Sequence, residues 1–369
     1  GVMPENDAHP DGQPWVWYAY DYDPVSTMRF AAAAAKLSRA LVGIDDEQAA
    51  QLLSEAQAAW NWAIAEGPRE TYGDNVKLRY RVHGAQAAAE LLATTGEPAY
   101  HDAFAELGPF TGGNLSYSLY DWDAAVWLDG LFTYARAEAA DPEYASAAER
   151  VIVERAEVLL EVAEKTAFRL VKHPYGPIRM SGGSTPTREG PGVLIRAHVL
   201  TGRVEFRDWA VAACDLTLGG NPAGWSWVTG VGDKPVREPL HMPSMGDGID
   251  DPVPGITVYG PNDAVENGGI LGAALIGYHP HISEWPQLER YADVGYPPGT
   301  NEFTVYESIG PSLFAFGYFA ELAEEAEETG DIKKKPTSCA CSSGAGHRGL
   351  TLLLAVGLAV AWRRKPQIG

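Results

Sequence analysis

The sequence has few cysteines and few basic side chains. Only three of its 369 residues are cysteine, which is too few for a disulfide framework. Lys and Arg together number 28 against 49 Asp and Glu, so the formal net charge is -21. Such an acidic chain is a poor partner for nucleic acid and for anionic membranes, because both carry negative charge themselves. A need for solubility would explain the acidity equally well.

Several catalytic signatures are missing as well. The sequence contains no Walker loop, no His-Glu-x-x-His and no Gly-x-Ser-x-Gly, which gives no support to nucleotide, zinc-peptidase or α/β-hydrolase chemistry. Cys214 lies in an apolar run and is interpreted as a packed thiol rather than a nucleophile. The residues therefore predict neither a cofactor nor a metal site.

Helical periodicity dominates most of the chain. Residues 45–66 begin with acidic side chains and end at a Gly-Pro pair, and residues 151–168 have one apolar and one acidic face. No convincing alternation of apolar and polar residues predicts a strand. The sequence therefore indicates an all-α fold, with further helices predicted at residues 25–42, 78–95, 118–139, 187–201, 204–218 and 304–328.

A weak internal repeat indicates how the helices pair. The segments 91–102 and 198–208 each combine a helix end, a glycine, an aromatic residue and a new helix. Gly96 and Gly202 are predicted to close their helices in the left-handed conformation, with the aromatic side chain at the corner of an antiparallel hairpin. Repeated hairpins of this kind predict a toroid or a solenoid.

Residues 219–300 break the helical pattern with glycine, proline and aromatic residues. A long stretch of this kind inside a helical domain is usually functional. It begins within the run Leu218-Gly-Gly-Asn-Pro-Ala-Gly-Trp-Ser-Trp-Val-Thr-Gly-Val-Gly232, and the pair Asn301-Glu302 follows it. The run closely resembles the LGxNPxGxSYVTGxG stretch of glycoside hydrolase family 9, whose members are mostly cellulases, and the pair matches that family's late Asn-Glu.

The resemblance to family 9 covers about residues 20–328 and is strongest over 187–322. It implies an (α/α)6 barrel, a six-hairpin toroid with two concentric rings of helices and an open cleft formed by loops at one end. Roughly eight to ten helices are predicted from the sequence. The toroid is therefore expected to lack its first helices.

The resemblance makes Glu302 the catalytic acid of an inverting glycosidase. Inversion needs one carboxylic acid to protonate the leaving oxygen and one carboxylate to activate water. The alternative at the level of residues is that Asn301 caps a helix and Glu302 lies in its first turn. A helix N-terminus lowers the pKa of a carboxyl, whereas a general acid needs a raised one. We therefore expect the pKa of Glu302 to be raised only when the second carboxylate is present.

That second carboxylate, the base, is not found in the sequence. In the family it is an Asp in an Asp-Ala-Gly-Asp motif near the start of the domain, and this chain contains no such motif. The nearest imitation, Asp121-Trp-Asp123, falls in a predicted helix, where packing and solvation explain it better. The chain starts at Gly1 without a signal peptide. Residues 1–24 are therefore expected to be the remnant of a longer N-terminal part that holds the base.

Further positions correspond to the family's substrate cleft. The resemblance assigns substrate binding to His241, Asn301, Asp293, Trp225 and Trp227. For the histidine a structural role is the alternative, and Met242 stands where the family has an Arg that contacts sugar. The two tryptophans are expected either to stack on pyranose rings or to pack the base of the cleft. The aspartate is expected to support the acid or the cleft wall.

Residues 329–369 are interpreted as a sorting signal rather than as part of the fold. A linker at 329–348 contains Cys339-Ala-Cys341, and the sorting or anchor segment 349–369 joins a short apolar run to Arg363-Arg-Lys365. The run is shorter than the roughly 20 apolar residues that span a bilayer, so it is a marginal anchor. Together the parts resemble the MYXO-CTERM signal of myxobacteria, which implies a sorting protease and display at the cell surface. A frayed hydrophobic tail is the alternative.

These observations predict an exported glycoside hydrolase over residues 25–328 that acts on a β-1,4-glucan, a neutral polysaccharide, and works as a monomer. A catalytically inactive surface module of the same fold that holds glycan in its cleft is the alternative. A third possibility keeps the toroid but changes the reaction to that of another sugar-active family. The resemblance also leaves room for the structural calcium that some family members bind.

Overall fold

The computed structural model describes residues 22–69, 73–108, 110–111, 114–115, 124–171, 190–261, 279–281, 284–295 and 300–328. Helices make up most of these residues. The longer ones are α1 (Pro24–Leu41), α2 (Asp46–Glu66), α3 (Asp74–Thr95), α4 (Pro98–Leu107), α5 (Ala124–Ala135), α6 (Pro142–Lys165), α7 (Pro191–Thr201), α8 (Val204–Thr217) and, after the five-residue α9 (Met242–Gly246), α10 (Gly310–Glu328).

Regular structure outside these helices is brief. Two short antiparallel strands, β1 (Phe110–Thr111) and β2 (Asn114–Leu115), form a small hairpin. Single turns of 3-10 helix occupy Ala167–Arg169 and Gln287–Glu289, and a π-helical turn at Val305–Ile309 leads into α10. Strands of two residues are too short to produce an alternating sequence pattern, so none was predicted from the sequence.

The longer helices form a series of hairpins. Helix α1 pairs with α2, α3 with α4, α5 with α6, and α7 with α8, while α1 also packs on α3 and α3 on α5. Helix α10 packs against α7 and α8. The helices of each pair follow one another in the chain and are joined by a short turn, so the helical part of the fold is a set of hairpins.

The predicted hairpin corners are present. Gly96 and Gly202 end α3 and α7 in the left-handed conformation, with φ of 73° and 72°, and each donates its N–H to the carbonyl four residues back. The aromatic residues that follow, Tyr100 and Phe206, are buried in the helical core. The internal repeat therefore identified two real hairpins, and its left-handed glycines are confirmed.

The helix predicted at 151–168 differs from the structure at both ends. Helix α6 begins at Pro142, nine residues before the predicted start, because the Asp141 carboxylate caps it by accepting the N–H groups of Glu143 and Tyr144. It also ends at Lys165, and Phe168 in the turn beyond it has a positive φ of 62°, which a helix cannot contain. The predicted helix at 118–139 is present as α5, and residues 118–123 lie outside the described ranges.

A polar network joins the odd-numbered helices. The carboxylate of Asp129 in α5 accepts hydrogen bonds from Lys36 Nζ of α1 at 2.9 Å, Gln86 Nε2 of α3 at 3.0 Å and Arg196 Nη2 of α7 at 3.0 Å. Burial alone would raise the pKa of Asp129, but the Lys36 and Arg196 charges and their hydrogen bonds outweigh it and hold the pKa well below its usual range. Four helices thus share one ionised carboxylate.

None of the helices in the described part of the chain is long and apolar enough to cross a membrane. The apolar run within residues 349–369, which the sequence suggested as a marginal anchor, lies outside that part.

Replacing the central carboxylate tests its importance for stability. We expect Asp129→Asn to lower the free energy of unfolding by about 1–3 kcal/mol at pH 7, because two cations lose their charged acceptor. Since the folded-state pKa is the lower one, this contribution is present above the unfolded value of about 4 and is lost as the pH falls toward the folded value. The difference from wild type in urea unfolding should therefore shrink in acid.

The control for this substitution is Asp102→Asn, at an exposed position of α4, where a change within about 0.5 kcal/mol is expected. Equal stabilities of the Asp129 and Asp102 variants at pH 7 would contradict the structural role of the network.

Candidate active site

The segment between α8 and α10 has its own small hydrophobic core. This core is a cluster separate from that of the helical hairpins. Its buried members are Trp227, Val236, Ile256, Val258 and Tyr291 of the segment, together with Leu216 of α8 and Leu170. Phe303 and Trp225 pack against it and are partly buried. This loop core supports the backbone that precedes α10, where Glu302 lies.

Backbone hydrogen bonds hold Glu302 and its two preceding residues in place. The N–H of Tyr259 donates to the carbonyl of Glu302 at 2.9 Å, and the N–H of Gly260 donates to that of Thr300 at 3.0 Å. From another segment, the N–H of Leu240 donates to the carbonyl of Asn301 at 2.9 Å. Residues 300–302 therefore lie between two other segments of the chain.

Glycine is required inside the Leu218–Gly232 motif. Gly230 has a φ of 70°, and a Cβ there would lie 2.8 Å from the Cβ of Pro254. A side chain would therefore be strained both by its backbone and by the neighbouring ring. The adjacent Thr229 exchanges backbone hydrogen bonds with residues 255 and 256, so this turn anchors the loop that leads to Tyr259.

Asn301 is completely buried and fully bonded. Its Nδ2 donates to the carbonyl of Glu238 and to Oδ1 of Asp293, each at 2.7 Å, and its Oδ1 accepts the hydroxyl of Tyr291 at 2.6 Å. The predicted substrate-binding role of Asn301 stays a prediction, and the structure places its side chain among protein partners, without exposed surface. The helix-cap alternative is wrong, since Thr304 caps the following turn. Asn301 positions its neighbour Glu302.

Asp293 belongs to the same support. Besides the amide of Asn301, its carboxylate accepts the backbone N–H groups of Arg237 at 2.9 Å and Glu238 at 3.1 Å. These donors fix the segment 237–238 against residues 293 and 301. Asp293 therefore connects three residues near Glu302, and its predicted supporting role stays a prediction.

The Glu302 side chain is partly exposed, and its pKa is raised. Burial is the larger cause, and the negative charge of Glu307 is the second. Because the N-cap of the following turn is Thr304, Glu302 lies before the helical segment and outside its first turn. The expectation that a raised pKa requires the family's second catalytic carboxylate is therefore wrong.

Glu307 was missed at the level of sequence. It lies in the π-helical turn Val305–Ile309, where its Oε2 accepts the hydroxyl of buried Tyr259 at 2.7 Å. The two partners are 48 residues apart in the chain, and no local pattern joins them. The sequence signal that could have drawn attention to Glu307 is its position as a second acidic residue, five positions after Glu302.

His241 lies beside the acid. Its ring is 5.9 Å from that of Phe303, the residue next to Glu302. Nδ1 is 2.8 Å from the hydroxyl of Ser244, and the side chain caps the short helix α9. Within the described part of the chain, Nε2 has no hydrogen-bond partner, so this nitrogen is available to a ligand. The neighbouring Met242 is 71% exposed.

The two tryptophans differ in their exposure. Trp227 is 0% exposed in the loop core, so its ring offers no face to a sugar and the core-packing alternative describes it. Trp225 is partly buried, packs edge-on against Tyr291 with ring centres 5.5 Å apart, and has Lys234 Nζ 4.1 Å from its ring centre. A sugar could therefore reach Trp225 only beside this lysine.

Some predicted features lie outside the described residues. They are Asp121 and Asp123, the considered imitation of the base, and the ends of the chain at 1–21 and 329–369. Among the residues that are described, no group of three or more His, Cys, Asp and Glu side chains is arranged to hold a metal ion.

The chain matches known glycosidases in sequence. It is 27% identical over 279 residues to a xyloglucan-specific endo-β-1,4-glucanase of Bacteroides ovatus, a match that covers 70% of this chain and 46% of the relative. It is 25% identical over 358 residues to a cellulose 1,4-β-cellobiosidase of Acetivibrio thermocellus, which covers 87% of this chain and 38% of the relative. The chain thus spans less than half the length of these two relatives.

The fold also matches solved structures. The structure of AaCel9A in complex with cellobiose-like isofagomine superposes with a TM-score of 0.66 at 24% identity, covering 82% of this chain and 56% of that one. At this identity the likeness concerns the fold alone, and it confirms the predicted all-α (α/α)6 class. Residues 5–308 match the sequence profile of Glycosyl hydrolase family 9. This match covers most of the chain, which therefore belongs to glycosyl hydrolase family 9.

Proposed function

We propose that this chain takes part in the hydrolysis of β-1,4-glucosidic bonds in cellulose or a related β-glucan, with Glu302 as the general acid. The observation that supports this most is the state of Glu302, a partly exposed carboxyl with a raised pKa on a backbone fixed from both sides. A raised pKa favours the protonated carboxyl, and this form can donate its proton to the glycosidic oxygen as the bond breaks.

The reaction proceeds by inversion in this proposal. Glu302 protonates the leaving oxygen on one face of the sugar, while a base removes a proton from the water that attacks the anomeric carbon on the other face. The family's Asp-Ala-Gly-Asp motif is absent from the sequence. We therefore propose that the base comes from a segment not contained in this chain, and that the chain alone has little or no activity.

Substrate binding is proposed for His241 and Trp225. The free Nε2 of His241 can exchange hydrogen bonds with sugar hydroxyls next to Glu302. The indole of Trp225 offers an apolar surface to a pyranose, with Lys234 at its edge. A neutral glucan is compatible with the negative charge of the chain, and relatives named for xyloglucan and cellulose support a β-1,4-glucan as the substrate class.

Export and display at the cell surface remain proposals from the sequence. They rest on the Cys339-Ala-Cys341 pair, the short apolar run and the basic cluster at Arg363-Arg-Lys365. A sorting protease would be the partner of this segment, and the hydrolase domain would work as a monomer on polymer outside the cell.

A second candidate is an inactive glycan-binding module of the same fold. The absence of the base motif from the sequence favours it. Both candidates predict binding of β-glucan, so only turnover by a form that contains the upstream segment distinguishes them.

Replacing the acid tests the first candidate. In the protein that includes the upstream segment, we expect Glu302→Gln to lower the release of reducing ends from β-glucan by about 10²- to 10⁴-fold, because general acid catalysis is lost. Retention on insoluble glucan should be unchanged, since the amide keeps the size and shape of the carboxyl.

The matched control for Glu302→Gln is Glu324→Gln, the same change at an exposed position of α10, which should keep full activity. Near wild-type turnover by Glu302→Gln would remove this residue from the mechanism. Glucan retention without turnover in the unsubstituted protein would instead support the binding module.

Removing the support beneath the acid should affect the rate more than binding. We expect Asp293→Ala to reduce kcat by up to about 10²-fold with little change in KM, because Asn301 and the segment 237–238 lose their acceptor and Glu302 shifts. The free energy of unfolding should fall by about 1–3 kcal/mol. Steady-state kinetics and urea unfolding measure the two effects.

The control for Asp293→Ala is Asp250→Ala, an exposed carboxylate of the same loop segment, which should leave both values unchanged. An increase in KM alone for Asp293→Ala would indicate that this residue contacts substrate rather than positioning the acid.

A further inference from the structure

A second carboxylate lies beside the proposed acid and has no role in the mechanism described so far. Glu307 occupies the π-helical turn Val305–Ile309, which begins at its N-cap Thr304. The hydroxyl of Thr304 accepts the N–H of Glu307 at 2.9 Å, so the backbone of this residue is fixed. Single π-helical turns at the start of a helix are often found at functional sites.

Tyr259 connects this carboxylate to the acid. Its backbone N–H donates to the carbonyl of Glu302 at 2.9 Å, and its hydroxyl donates to Oε2 of Glu307 at 2.7 Å. The ring is almost completely buried, so the hydroxyl cannot turn away to solvent. Burial and the bond to Glu307 raise the pKa of Tyr259, which therefore remains a donor. One residue thus fixes both glutamates.

Other ionisable groups belong to the segments around residues 300–302. They are Tyr259 from residues 256–260, Glu238 and His241 from residues 236–241, Tyr291 and Asp293 from residues 291–295, and Tyr306 next to Glu307. Asp293 is surrounded by three N–H donors, which compensate its charge. Burial is the larger cause of the raised pKa of Glu302, and the negative charge of Glu307, whose carboxylate is held by Tyr259, is the second.

We propose that Glu307, held in place by Tyr259, is a positioning residue whose negative charge keeps Glu302 in its protonated, proton-donating form. This inference rests on the proposed function of Glu302 and deepens it. Glu307 itself does not touch the substrate. After Glu302 has given its proton to the leaving oxygen, it carries the same charge as Glu307, and the repulsion between the two charges favours the return of a proton from solvent to Glu302.

The proposal predicts a change in the ionisation of Glu302 that can be measured without turnover. Titration of the side-chain carboxyl by NMR, with ¹³C-labelled glutamate and assignment through Glu302→Gln, gives its pKa directly. In Glu307→Gln this pKa should fall, because the charge is removed while an acceptor for the Tyr259 hydroxyl remains. In Tyr259→Phe it should fall less, since Glu307 keeps its charge but is no longer fixed.

The matched control is Glu324→Gln, which removes the same charge from α10 about 25 Å further along the helix and should leave the pKa of Glu302 unchanged. In the active protein, the alkaline limb of the kcat/KM profile should move to lower pH in Glu307→Gln and stay in place in the control. The rate at acidic pH should remain close to that of wild type.

An unchanged pKa of Glu302 in Glu307→Gln would overturn the proposal. Loss of turnover at every pH, with the pKa of Glu302 unaltered, would also overturn it and would make Glu307 a participant in the reaction. If Glu302→Gln kept its turnover, the proposed function would fail, yet the titration would still decide whether Glu307 controls the proton on Glu302. The two failures are therefore distinguishable.

Discussion

The buried amide of Asn301 is the interaction on which the candidate site depends. Its nitrogen and oxygen bind groups from two other stretches of the chain, at Glu238 and at Tyr291 and Asp293, so that three stretches meet at residue 301. Leaving any one of these buried atoms unpaired would cost about 1–3 kcal/mol, so the three stretches assemble together or not at all. The backbone of Glu302 follows directly, and its direction is set by this assembly rather than by its own contacts.

The helical hairpins provide a rigid base for this irregular region. Their odd-numbered helices share the ionised carboxylate of Asp129, which satisfies two cations and an amide at once. A site built on loops needs such a base, because loop backbone has few regular hydrogen bonds of its own. The two regions also differ in the direction of their carboxyl pKa shifts. The Asp129 carboxyl among the hairpins has a lowered pKa, and the Glu302 carboxyl on the loop segment has a raised one.

Sequence reasoning was most successful where the determinants are local. Helix ends at Gly96 and Gly202 and most helix positions followed from periodicity and from residues that start or stop a helix, because those rules act within a few positions. The start of α6 at Asp141-Pro142 was a local signal that went unused. The motif around residues 218–232 and the late Asn-Glu pair identified the family, and with it the fold.

The features that the sequence left undecided share a physical cause, which is that burial and long-range pairing are invisible in a linear pattern. Asn301 and Trp227 have the residue types of a sugar-binding surface, yet both are completely buried. The influence of Glu307 on Glu302 depends on a tyrosine far away in the chain. The pKa of Glu302 was judged from an assumed helix cap at Asn301, and the observed cap at Thr304 places Glu302 before the helical segment.

The separate hydrophobic core of the loop segment has a consequence for how this protein fails on heating. Regions with independent cores open in independent steps, and the smaller core has less buried area to resist opening. The loop core around Trp227 is the smaller of the two. Warming should therefore disperse the residues around the proton donor while the hairpins still give a full helical signal by circular dichroism, and inactivation would precede melting.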